Sequence, residues 1–140
     1  MMRILTTVIL AVFLYGCASQ QVYEGAKRHP DQIAHIKPGF PSFFSFDPAI
    51  HITEIDGGKR DFFSSGKFDV APGTHTIKAA QLYNLFGLKG KFVPKIVRTI
   101  TFEARAGESY VVYYRWRNRR EGKWVIIVTE ESTGRVFREK

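Results

Sequence analysis

The chain is short of the residues that announce chemistry. It has one cysteine, Cys17, so no disulfide can close within it and no Cys-x-x-Cys pair exists for zinc or redox work. Its four histidines, His29, His35, His51 and His75, are scattered, and none sits in a His-Glu-x-x-His pattern. It has no Gly-x-Ser-x-Gly elbow and no glycine-rich phosphate loop; Ser64-Ser65-Gly66 reads as a loop. These absences argue against an enzyme, a metal centre and a resident cofactor. A hydrolase whose serine, histidine and carboxylate meet only in space stays open, because such triads are spatial. Acidic residues are also few, 13 against 21 Lys and Arg, for a formal net charge of +8.

Long apolar runs are missing too. Residues 4–15 are twelve without a charge. As helix they rise only about 18 Å, against roughly 30 Å of bilayer hydrocarbon. A buried core helix of that length would show an apolar face. Here Ile4, Leu5, Val8, Ile9, Leu10, Val12, Phe13 and Leu14 go all round. With Met1-Met2-Arg3 as a short basic head, the stretch reads as an export signal.

The end of that stretch is more specific. Leu14-Tyr15-Gly16-Cys17 resembles a lipobox, the site at which bacterial lipoproteins are acylated and cleaved. An apolar residue stands three before the cysteine and a small one just before it. Tyr15 departs from the pattern, where smaller residues are usual. The resemblance implies cleavage between Gly16 and Cys17 and a thioether-linked lipid on Cys17. More than one acyl chain gives stable anchoring. Ala18 and Ser19 come next, with no aspartate of the kind that retains lipoproteins at the inner membrane. The implied address is the cell envelope, on the periplasmic face of the outer membrane. An exported chain has little access to nucleic acid. Its expected partners are the membrane and an envelope protein.

The chain divides into a signal peptide at 1–16, a lipidated tether at 17–31, and one β-rich domain at 32–140. The mature chain, 17–140, keeps 20 basic and 13 acidic residues after losing Arg3, hence +7. That suits one small domain with a single core. The positive balance fits anionic lipid headgroups or lipopolysaccharide. Surface charge kept for solubility is the plainer reading and is preferred.

Residues 18–31 are polar and loop-like, and 32–36 form a short apolar patch that suits a first strand or a turn of helix. Residues 40–48 hold Phe40, Phe43, Phe44 and Phe46 without a period. From Ile50 onward, alternation and turn signals punctuate short strands: Asp56-Gly57-Gly58, Ala71-Pro72-Gly73 and Ala106-Gly107-Glu108 are the turns. Residues 96–103 interleave Ile96, Arg98, Ile100 and Phe102 with Val97, Thr99, Thr101 and Glu103. Tyr110, Val112, Tyr114 and Trp116 share one strand face, expected to be core, with Trp124, Ile126 and Val128 paired across the next turn. The fold class is all-β: a small β-sandwich or partly open barrel of six to eight short strands after a signal helix and tether.

Tyr23-Glu24-Gly25, Ile33-Ala34, Ile55-Asp56-Gly57, Pro72-Gly73-x-His75-x-Ile77 and Phe102-x-Ala104-x-Ala106-Gly107-x-x-Tyr110 resemble a pattern of small proteobacterial lipoproteins of unknown function. The middle part is similar to PEGA-type β-sandwich modules. The resemblance spans roughly residues 23–114. It implies fold and turn chemistry and brings no catalytic residues. Asp56 is read as a turn former, and His75 as a strand-start residue bonding locally.

Two stretches qualify as contact surfaces. Arg115, Arg117, Arg119 and Arg120, with Lys123 and the nearby Trp116 and Trp124, form a candidate anion-binding hairpin tip. Guanidinium forks suit phosphate oxygens. A solvated hairpin end with both tryptophans in the core is the preferred alternative. Residues 82–92 are too apolar for an ordinary loop: they either dock on a partner or bilayer, or fold onto the core as a hairpin end, which is slightly favoured. The leading functional reading is a non-enzymatic, lipid-anchored interaction or accessory module of the envelope. The second is a binding module for an anionic envelope component through the basic tip. The third is an envelope hydrolase.

Overall fold

Apolar residues spaced two apart must leave a strand on the same side, and the β-strands Ala34–Pro38, Val97–Ala104 and Ser109–Asn118 sort their side chains that way. The computed structural model describes residues 19–39, 49–60, 66–82 and 96–139. The signal stretch, Gly16 and Cys17 lie outside the described residues, as do 40–48, 61–65 and 83–95, the last taking in most of the apolar stretch at 82–92. Among the described residues there are ten strands: β1 (Gln20–Gln21), β2 (Ala34–Pro38), β3 (Ala49–Ile55), β4 (Gly58–Lys59), β5 (Phe68–Val70), β6 (Gly73–Leu82), β7 (Val97–Ala104), β8 (Ser109–Asn118), β9 (Lys123–Glu130) and β10 (Val136–Arg138). A 3-10 turn at Pro30–Gln32 precedes β2.

The strands form a six-stranded sheet in the order β1-β5-β2-β8-β9-β10 and a four-stranded sheet in the order β4-β3-β6-β7. No strand is shared, so the architecture is a β-sandwich and the barrel alternative drops out. Ten strands exceed the six to eight expected because β1 and β4 are two-residue pieces, too short to show any period. The sheets meet over one core. Ile36, Phe68, Tyr110, Val112, Trp124 and Ile126 come from the larger sheet, and Ile52, Ile77, Ile100 and Phe102 from the smaller. The patch at 32–36 divides: Gln32 closes the 3-10 turn, and from Ala34 it is β2, which runs parallel to β8 and antiparallel to β5 in the middle of the larger sheet.

One irregularity is dictated by spacing. Ile52 and Ile55 are three apart, yet both are buried. A regular strand would send one of them outward. The register against β6 slips between Ile52 and Glu54, a bulge that restores Ile55 to the inner face. The turn after it has positive φ at both Asp56 (49°) and Gly57 (82°), the primed geometry that suits a tight hairpin.

The larger sheet also holds a buried carboxylate. Glu130 ends β9 with its side chain wholly inside. It accepts hydrogen bonds from Arg105 Nε (3.0 Å) and Nη2 (2.5 Å), from the Tyr110 hydroxyl (3.0 Å) and from Thr133. A buried charge without such partners would be strongly destabilising. The Arg105 hydrogen bonds, more than any other cause, hold the Glu130 carboxyl down to about 2. Burial, in turn, pushes the Tyr110 phenol up.

Strand directions give the sandwich two ends. At one lie the end of β8, the start of β9 and the turn between them; Ser19, level with Val111 and Thr129, stands well short of it. At the other lie the Asp56 turn, the start of β6, the 105–108 turn and Glu130.

Candidate functional site

The basic hairpin is built from β8 and β9. Antiparallel register sets Tyr114 opposite Ile126, Arg115 opposite Val125 and Trp116 opposite Trp124. The register then slips between Trp116 and Asn118, a second bulge, with Arg117 at its centre. The turn is closed by its own polar groups. The Arg120 and Glu121 amides donate to the Asn118 side-chain oxygen (3.1 and 3.3 Å), and the Gly122 amide donates to the Arg119 carbonyl (3.2 Å). Gly122 takes φ +66°, where an L side chain would be strained.

The two tryptophans differ in environment. Trp124 is buried, edge-on to Tyr114 (6.1 Å between centroids) with the Arg98 guanidinium 5.8 Å over its ring. Trp116 is half-buried, packs edge-on to Tyr114 at 5.5 Å, and its indole N–H has no hydrogen-bond partner. The expectation of two core tryptophans therefore holds for Trp124 alone. Trp116 stands nearer the tip, where the sandwich no longer covers the strand fully.

All four candidate arginines are exposed. Among the described residues Arg115, Arg117 and Arg120 have no ion-pair partner, while Lys123 pairs with Glu121 (2.6 Å). The hairpin thus presents guanidinium donors to solvent at one end of the molecule. Planar forks of that kind match the paired oxygens of phosphate and carboxylate.

A second cluster is not legible in the sequence. Asp69 lies between Phe68 and Val70 and is itself buried at 3 % exposure. Its carboxylate accepts from the Ser19 hydroxyl (2.5 Å) and from His35 Nδ1 (2.7 Å). Around it the Gln20 amide donates to the Lys67 carbonyl and the Val22 amide to the Asp69 carbonyl, both 2.8 Å. Together these bonds seat the chain's first described residues on the edge of the larger sheet. The sheet therefore begins inside the segment expected to be a tether, at Gln20, three residues after Cys17. A polar two-residue strand carries no periodic signal, so its sequence reads as tether.

This serine, carboxylate and histidine are not arranged as an acyl-transfer relay. Such a relay needs imidazole between hydroxyl and carboxylate, so that it takes the hydroxyl's proton. Here the carboxylate stands in the middle and binds both. His75 is likewise committed, with Nδ1 2.6 Å from Asp56 Oδ2 and Nε2 2.6 Å from the Ala71 carbonyl. Asp56 also accepts the Thr76 amide (2.8 Å), so it is a turn former that clasps β6, as its place beside Gly57 implies. Burial lowers the His51 imidazole. Among the described residues no group of three or more His, Cys, Asp or Glu side chains could hold a metal ion. Nor does any helix there have the length and apolarity to cross a membrane.

Neither a protein-family model, nor a curated protein, nor a solved structure matches the chain.

Proposed function

We propose that the chain is a lipid-anchored envelope protein whose β-sandwich works at the bilayer surface as a non-enzymatic interaction or accessory module. Acylation at Cys17, cleavage after Gly16 and a periplasmic outer-membrane address belong to this reading. The observation that carries it is the seating of the chain's start. Ser19 is bonded to Asp69 and Gln20 is in the sheet. Two residues span at most about 7 Å, so a lipid on Cys17 holds the domain directly against the membrane.

The test is metabolic labelling with palmitate in a bacterial host. The wild-type chain should incorporate label and fractionate with membranes. Cys17→Ala should remain an unlabelled precursor, because the acceptor thiol is gone. Equal labelling of both would remove the anchor.

A second reading, a binding module for an anionic envelope component, is favoured by one observation: the exposed arginines of the β8–β9 hairpin, three of them without an acidic partner among the described residues.

A further inference from the structure

We propose that β7 is a docking edge: an extended acidic segment of a partner protein adds to it as a further strand of the smaller sheet. This rests on the interaction-module reading and names that module's partner by its chemistry. Three observations meet here.

The first is the backbone. A sheet edge presents a row of unpaired N–H and C=O groups, a template for another strand. Among the described residues the sheet edges are β1, β10, β4 and β7. β1 and β4 have two residues each and β10 three, too short to template a strand. β7 runs eight residues without proline or lysine. Its register against β6 is unbroken from Val97 opposite Ala80 to Ala104 opposite Gly73, so no bulge turns the edge away. Among the described residues its other side makes no backbone hydrogen bond.

The second is the side chains. The outer face of β7 carries Val97, Thr99, Thr101 and Glu103, all exposed, Val97 at 46 %. Three of the four are β-branched, the residues that pair best across strands. An inward-pointing charge is one device that blocks an edge. The one such charge on β7, Arg98, is instead drawn onto the larger sheet, 3.8 Å from Glu139 and 5.8 Å over the Trp124 ring.

The third is the floor beneath the slot, which also selects the occupant. The larger sheet continues past β9 to β10, whose Phe137 packs against Phe102 of β7 (5.5 Å between centroids) and stays partly exposed. A strand added about 4.8 Å beyond β7 lies over β10, with alternate side chains turned toward Phe137. Two copies of this chain joined edge to edge through β7 would bring both β10 strands into the same space beneath the join. Both copies are also strongly basic and repel. A single bare strand fits. Its charge follows from the surroundings. Arg135, 4.8 Å over the Phe137 ring, and Arg138 are exposed beside the slot. The carboxylates nearby are engaged, Glu139 with Arg98 and Glu103 with the Thr74 hydroxyl (2.6 Å). A segment with apolar residues at alternate positions and acidic residues among the rest complements floor and charge together.

The probe is a phage-displayed library of random linear peptides, each longer than β7, panned against the full-length chain held in detergent micelles by a C-terminal tag. Enriched peptides should alternate apolar and polar residues, lack a central proline and carry net negative charge. A synthetic copy of one should slow hydrogen exchange in β7 roughly ten-fold and leave the β8–β9 turn unchanged. The slowing should fall on alternate residues of β7, those whose N–H faces away from β6, because the others are already bonded.

Thr99→Asp with Thr101→Asp should weaken that peptide roughly ten-fold, since aspartate is a poor strand former and repels an acidic strand. Arg117→Gln with Arg120→Gln lowers the net charge by the same amount at the hairpin and should leave binding within about two-fold. If the aspartate pair loses its β-type circular dichroism, the alternate-residue exchange pattern of the wild-type chain decides alone. No enrichment, or peptides that protect the hairpin and not β7, overturns the proposal. Equal loss in both variants overturns it too, because net charge then accounts for the binding. Slow, concentration-dependent exchange at β7 without peptide puts a second copy on the edge and overturns the peptide. Peptide binding at β7 in a chain that takes no palmitate label removes the anchor and leaves the docking edge standing.

Discussion

Removing the Trp124 ring should be among the most destabilising single changes in this protein. The ring is 1 % exposed, opposes Trp116 across β8 and β9, and is flanked by Tyr114 and Arg98. An aromatic of this size buries roughly 150–250 Å². At about 25 cal/mol per Å² that is about 4–6 kcal/mol, an upper bound because the unfolded chain already hides some surface. Core Trp→Ala changes typically cost about 3–5 kcal/mol, so about 4 is expected for Trp124→Ala. The assay is urea unfolding read out by far-ultraviolet circular dichroism, with the midpoint compared at constant slope. Trp116→Ala should cost only about 1–2 kcal/mol, since its ring is half-exposed and its N–H already lacks a partner. A loss below about 1 kcal/mol for Trp124→Ala, or a larger loss for Trp116→Ala than for Trp124→Ala, would refute the assignment of core and tip.

The buried polar groups set further expectations. The folded-state value of Glu130, about 2, lies below its ordinary 4.5. Its stabilisation is therefore complete above about 4.5 and is lost as the pH falls toward 2. Glu130→Gln should flatten acid unfolding across that window, and an unchanged slope would show that the carboxylate is not the group responsible. Asp56→Ala removes the acceptor of the Thr76 amide and the His75 ring at a positive-φ turn. It should cost about 2–3 kcal/mol, measured by thermal unfolding; a loss within about 0.5 kcal/mol would mean the turn holds without it. Asp69→Asn should speed hydrogen exchange at the Gln20 and Val22 amides while leaving β8 and β9 protected. Unchanged exchange at β1 would mean the Ser19 and His35 contacts do not seat that strand.

Much of this molecule is legible in its residues taken in order. Alternation at 96–103 and 110–116, with Asp-Gly, Pro-Gly and Ala-Gly turns between strands, determined an all-β fold, because side-chain period and turn chemistry are local properties of the backbone. The same logic marked Asp56 and His75 as structural and placed the four arginines at a hairpin end. Tertiary structure alone decided the rest. Which strands pair depends on the whole core, so nothing local could place β2 parallel to β8 or split the strands into sheets of six and four. Gln20–Gln21 became a strand only because the edge of β5 was there to receive it. Asp69, flanked by apolar neighbours on a three-residue strand, reads as an outward polar residue until Ser19 and His35 converge on it from 50 and 34 positions away. Only strand order and register bring residues so far apart in the chain together, because that meeting is a long-range consequence of packing.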